Sequence, residues 1–170
     1  MENKTPFNRG FVVLGAILIQ LALGAIYAWS VYTKLLVEAG WSKAETQMVF
    51  SAGLALFAIV MVIAGRLMPK VGPRKLAFSG GIVLGLGYIL AGIFGAENFT
   101  TTFIFVGIMG GSGIGLGYVV PIAVGMRWFP DKKGMITGLA VAGFGFGATL
   151  WMAMADRLGP LGGGQLLENI

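Results

Sequence analysis

The sequence contains no cysteine and no histidine, and only 11% of its 170 residues are charged. Structural zinc, imidazole-ligated haem, redox dithiols and disulfides all require one of the two absent residue types. These are excluded within this polypeptide, as are a cysteine nucleophile and any triad relying on an imidazole base. No metal and no cofactor is expected. The shortage of charge is equally informative, because a soluble domain carries about 25% charged and about 45–50% apolar residues. Here 56% are hydrophobic. The composition is that of an integral membrane protein, with the lipid bilayer as its first partner. A net charge of +5 would suit nucleic acid, but the 12 basic residues are spread between apolar blocks and form no single soluble surface. No nucleic-acid partner is expected.

What is present is a series of long uncharged runs. A helix crossing about 30 Å of hydrocarbon needs roughly 20 mostly apolar residues. There are 24 uncharged residues between Arg9 and Lys34, 20 between Glu45 and Arg66, 21 between Lys75 and Glu97, and 22 between Lys133 and Asp156. The run of 29 between Glu97 and Arg127 opens with Asn98, Thr100, Thr101 and Thr102, which read as loop. The expected architecture is all-α, with five transmembrane helices near 11–32, 48–68, 76–94, 103–126 and 135–154. Residues 1–10 form a tail, 11–156 the helical bundle and 157–170 a stub without a further apolar run. The first run exceeds a secretory signal's apolar core and lacks a small-residue cleavage site, so it reads as a retained helix.

Lys and Arg in short loops mark the cytoplasmic face. Nine of them (Lys4, Arg9, Arg66, Lys70, Arg74, Lys75, Arg127, Lys132 and Lys133) fall on one face, against Lys34, Lys43 and Arg157 on the other. The amino terminus is therefore expected in the cytoplasm, in a multi-pass protein of the inner membrane. Trp29, Tyr32 and Trp41 at one boundary and Trp128 at the other fit interfacial belts.

No Asp, Glu, Lys or Arg lies in the five expected hydrocarbon cores, which excludes a carboxylate proton relay. Few polar candidates remain. Gln20, Gly24 and Tyr27 share one face of the first helix at 100° per residue. That stripe either lines a cavity or, for Gln20, bonds a neighbouring helix, with Tyr27 as a belt residue. Trp29 falls on the opposite face. In the fourth helix Tyr118 lies on the side of Gly107 and Gly111, where its phenol needs a partner. Gly107, Gly111 and Gly115 are spaced by four, as are Gly113 and Gly117, Gly81 and Gly85, and Gly143 and Gly147. The glycine run at 110–117 lacks the spacing and the Lys-Ser or Lys-Thr pair of a phosphate loop, so small-residue ridges for close helix packing are the better reading. Pro121 would bend the fourth helix.

Between the second and third helices stands Gly65-Arg66-Leu67-Met68-Pro69-Lys70-Val71-Gly72-Pro73-Arg74-Lys75, a tight cytoplasmic loop in which Gly72-Pro73 makes the turn. By itself it is a topogenic anchor. Asp131 is the one acid on that face besides Glu2, and a bond from Arg66 or Arg74 to it would staple two loops. The loop resembles the signature joining the second and third helices of the major facilitator superfamily, matching at Gly65, Lys70, Gly72, Arg74 and Lys75 and carrying Pro69 at the acidic position. The stretches 24–32 and 127–134 resemble the oxalate/formate antiporter family within it. The resemblance implies a transporter of twelve helices in two six-helix halves around a central site, of which this chain supplies five. In that fold the first and fourth helices line the cavity, and the basic residues that meet substrate carboxylates lie in the second half.

The expected function is transport of a small organic anion (oxalate, formate or another short carboxylate) by alternating access, completed by a second transporter half. Gln20, Tyr27 and Tyr118 would bind substrate, while Gly65, Arg66, Gly72, Arg74, Lys75 and Asp131 would form the gating motif. Gly107, Gly111, Gly115, Gly143 and Gly147 would pack helices. The rival readings are an accessory membrane subunit held by its glycine ridges and an inactive truncated transporter. An enzyme is not expected, since no nucleophile and base can be paired within the spans.

Overall fold

A computed structural model describes residues 9–94 and 98–159, with the side chains of 155–159 outside the description. Among the described residues every regular element is helical, and five helices are long and apolar enough to cross a membrane. The first span, Arg9–Glu38, consists of α1 (Arg9–Leu23), a 3-10 turn (Gly24–Ala28) and α2 (Trp29–Glu38). The second is α3 (Lys43–Val71) and the third α4 (Pro73–Phe94). The fourth runs through α5 (Phe99–Thr102), a π-helical segment (Phe103–Gly110) and α6 (Gly111–Trp128). The fifth, after a 3-10 turn at Pro130–Lys132, is α7 (Lys133–Gly159). Most of the expected tail, 1–10, and most of the stub, 157–170, lies outside the described residues.

The helices extend beyond the expected hydrocarbon limits because polar residues finish their ends. Ser42 caps α3: its hydroxyl accepts from the Glu45 amide at 3.2 Å while the Glu45 carboxylate accepts from the Ser42 amide at 2.9 Å. The polar stretch after Glu97 is not the loop expected. The Asn98 side chain accepts from the Thr100 amide at 2.9 Å, and the helix begins there. The sequence 65–75 is likewise almost wholly helical. Its one non-helical residue, Gly72, has φ +88°, a left-handed conformation that glycine adopts without steric cost.

The fourth span sits at the centre of the bundle, against α1, α3, α4 and α7. Lipid offers no hydrophobic gain for pairing helices, so close backbone approach supplies the attraction. A methyl group on Gly115 would stand 2.8 Å from the Phe57 carbonyl oxygen, one on Gly107 3.2 Å from that of Val49, and one on Gly111 would collide with that of Gly53. These three glycines seat α6 and its π-helical prelude on α3. Gly143 and Gly147 do the same for α7 on α1, meeting Gln20 Cβ and the Leu21 carbonyl. In α4 the packing glycines are Gly80 and Gly87, where a methyl would stand 2.8 Å and 2.7 Å from the carbonyls of Gly113 and Phe105; Gly81 and Gly85 face open space. A helix apolar all round gives no polar face to tell which glycine points inward.

Candidate functional site

The 3-10 turn decides what the first span presents. Its tighter winding, at three residues per turn, rotates Tyr27 about 80° beyond its place on a continuous α-helix. Gln20 and Tyr27 consequently part company. Gln20 is fully buried against α7, its Cβ 3.3 Å from the point where a side chain on Gly143 would begin, and neither its amide oxygen nor its amide nitrogen has a hydrogen bond to any of the described residues. Tyr27 is 39% exposed.

Tyr27 and Tyr118 meet on a third ring that the residue pattern does not single out. Phe144, from α7, lies with its centroid 5.4 Å from Tyr27 and 5.1 Å from Tyr118, edge to face in both cases. Phe57 from α3 closes the group, 5.1 Å from Tyr118 and 6.3 Å from Phe144. Four spans thus contribute one aromatic side chain each, in the offset and T-shaped arrangements that aromatic quadrupoles favour. Phe144 is buried, and both tyrosine rings pack on it. The one available signal for it is an aromatic residue inside the Gly143–Gly147 ridge, where a large side chain must fill the gap that small ones leave.

A cavity of about 30 Å³ between the first four spans, lined by Ala25, Ile26, Trp29 and Tyr88 among others, has room for a water or two and includes neither Tyr27 nor Tyr118. Trp29 corrects its interfacial assignment: it is buried and donates Nε1–H to the Thr46 carbonyl at 3.0 Å, tying α2 to α3. Trp151 makes the corresponding tie between α7 and α1, donating to the Leu21 carbonyl at 2.9 Å where the α-helix gives way to the 3-10 turn.

At the far end lie the turns between α3 and α4 and between α6 and α7. Met68, Leu76 and Val120 pack as one buried cluster directly beneath them. Arg66, Arg74, Lys75 and Asp131 are exposed on this end, and among the described residues no ion pair joins either arginine to Asp131. Gly65 lies against Val119 of α6, and Gly72 makes the turn.

A bundle whose central span is seated through glycine on its neighbours, with a basic one-residue turn between its second and third helices, defines a class of integral membrane protein, and comparison places it. The profile of the Major Facilitator Superfamily matches residues 12–165, and the chain belongs to that superfamily. An uncharacterized MFS-type transporter, YhjX, of Escherichia coli (strain K12) is 32% identical over 172 residues, covering 98% of this chain and 40% of that protein. The oxalate:formate antiporter of Oxalobacter formigenes is 31% identical over 154 residues, 89% of this chain and 36% of the antiporter. Apicoplast pyruvate carrier 1 of Toxoplasma gondii is 27% identical over 203 residues, 94% of this chain and 37% of the carrier. The chain spans about two fifths of the length of these relatives.

Proposed function

We propose that this chain forms one wall of the central pathway of a transporter for small organic anions, oxalate, formate or another short carboxylate, working by alternating access against a second helical bundle. The observation that carries the reading is the pair of phenols, Tyr27 and Tyr118, both packed on the Phe144 ring. Two neutral hydroxyl donors in surroundings without acidic side chains suit a carboxylate, and the flat rings suit its planar face. The names of two relatives, an antiporter of oxalate and formate and a carrier of pyruvate, support the same substrate class. Cations to balance the substrate would come from the second bundle.

In this reading Gln20 gains a hydrogen-bond partner when α1 and α7 shift during the cycle, and Arg66 or Arg74 pairs with Asp131 in one of the two end states. The amino terminus faces the cytoplasm, in the inner membrane, because the basic turns gather at its end of the bundle. No covalent chemistry is required.

The test is a chimera in which this chain replaces the aligned segment of the oxalate:formate antiporter, reconstituted in liposomes and assayed by counterflow of labelled oxalate and formate. Flux is expected, with the half-saturation concentration raised several-fold by Tyr27→Phe and turnover lowered by Asp131→Asn. A folded, membrane-inserted chimera without carboxylate flux overturns the reading. Unchanged affinity in Tyr27→Phe removes the role of that phenol, and unchanged turnover in Asp131→Asn that of the latch.

A further inference from the structure

The two ends of the bundle differ in charge among the described residues. At the end carrying Lys34 and Lys43, the acids Glu38 and Glu45 cancel them. At the other end eight exposed cations face one acid, Asp131. An excess of this size cannot be neutralised within the described chain, and it is concentrated. Gly72 is the single residue between α3 and α4, so Lys70 lies just before the turn and Arg74 and Lys75 just after it. Arg127 lies in the last turn of the adjoining α6, whose Val120 and Val124 pack with Leu76 under the turn.

Directly below these cations α4 presents an unpartnered apolar strip. Phe78 follows Arg74 by one helical turn and is 72% exposed; Ile82 follows by another and is 46% exposed. Gly81 and Gly85 have no neighbouring side chain within 4 Å, which leaves a shallow channel beside the strip. A phosphate-sized anionic demand above an exposed hydrocarbon channel matches one chemistry, an acidic phospholipid.

We infer that Lys70, Arg74 and Lys75 hold the phosphodiester of an anionic phospholipid, with an acyl chain along Phe78, Ile82 and the open glycines of α4. Juxtamembrane clusters of basic residues attract anionic lipids in this way, and the attraction is weakened by salt. The site shares Arg74 with the proposed pairing to Asp131 but requires no transported substrate.

The purified full chain in nanodiscs of mixed dioleoyl phosphatidylcholine and dioleoyl phosphatidylglycerol provides the test, with the lipid retained after transfer to detergent measured by native mass spectrometry. Phosphatidylglycerol is expected to be retained at least fivefold over phosphatidylcholine, a preference lost in Arg74→Gln/Lys75→Gln and kept in Lys34→Gln/Lys43→Gln. The pair Lys70→Gln/Lys75→Gln gives a second reading should the first variant not fold, and wild type in half-molar sodium chloride gives a third without any substitution. Equal retention of the two lipids, equal loss in the variants at both ends, or a preference indifferent to salt overturns the inference. Displacement of phosphatidylglycerol by millimolar inorganic phosphate would also overturn it, assigning the cations to free anions.

Discussion

Gln20 is a polar side chain buried against α7 with no hydrogen-bond partner among the described residues. An unsatisfied buried amide costs about 1–3 kcal/mol, and exchange for an apolar group of similar shape removes that cost. Gln20→Leu is therefore expected to raise the thermal unfolding temperature of the purified chain in detergent; an unchanged or lowered value would mean that the amide is already satisfied. Trp29→Phe should act in the opposite direction, by about 1 kcal/mol, because it removes the bond to the Thr46 carbonyl and leaves that acceptor buried. The same thermal measurement checks it. At this scale the residue types are legible in the sequence and their surroundings are not. Tyr27 and Tyr118 stand out as rare phenols in apolar runs, whereas Phe144 is one of 12 phenylalanines, marked only by its place inside the Gly143–Gly147 ridge. Trp29 sits at a boundary in sequence and is buried in space, since the second half of the first span packs on α3.

Helices in lipid are held by how closely their backbones approach, so the informative element-scale test is a pair of glycines two positions apart. A side chain at Gly147 runs into the Leu21 carbonyl, while one at Gly145 meets nothing within 4 Å. Gly147→Val should destabilise the α1–α7 pair by about 1–3 kcal/mol through overpacking, and Gly145→Val by less than about 0.5 kcal/mol. Unfolding midpoints of the two variants in the same detergent decide this; equal midpoints would contradict the packing described. Spacing by four identifies the ridges at Gly107, Gly111 and Gly115 and at Gly143 and Gly147, and points to Gly81 and Gly85 where the contacts belong to Gly80 and Gly87. Helix ends expected from charge alone fall short for a related reason. Charge counting marks where hydrocarbon stops, while caps such as Ser42 and Asn98 mark where hydrogen bonding stops. The 3-10 turn at Gly24–Ala28 leaves no trace in an unbroken apolar run, and it is what separates Tyr27 from Gln20.

At the scale of the molecule, five crossings are legible from gaps between charges alone, because burying a charged side chain in hydrocarbon costs several kcal/mol and sequences avoid it. The absence of cysteine makes topology directly measurable, since single substitutions can be labelled without background. Arg74→Cys and Asp131→Cys should react with an impermeant maleimide from one side of the membrane, and Lys34→Cys from the other. Labelling of Arg74→Cys and Asp131→Cys from opposite sides would dismantle the arrangement of helices. The joint at Gly72 bears on motion as well as on topology. One residue cannot serve as a slack tether, so the ends of α3 and α4 that meet at Gly72 are obliged to move together. Away from that joint each helix packs chiefly on α6, so any change in the angle between them must be taken up on the faces of α6.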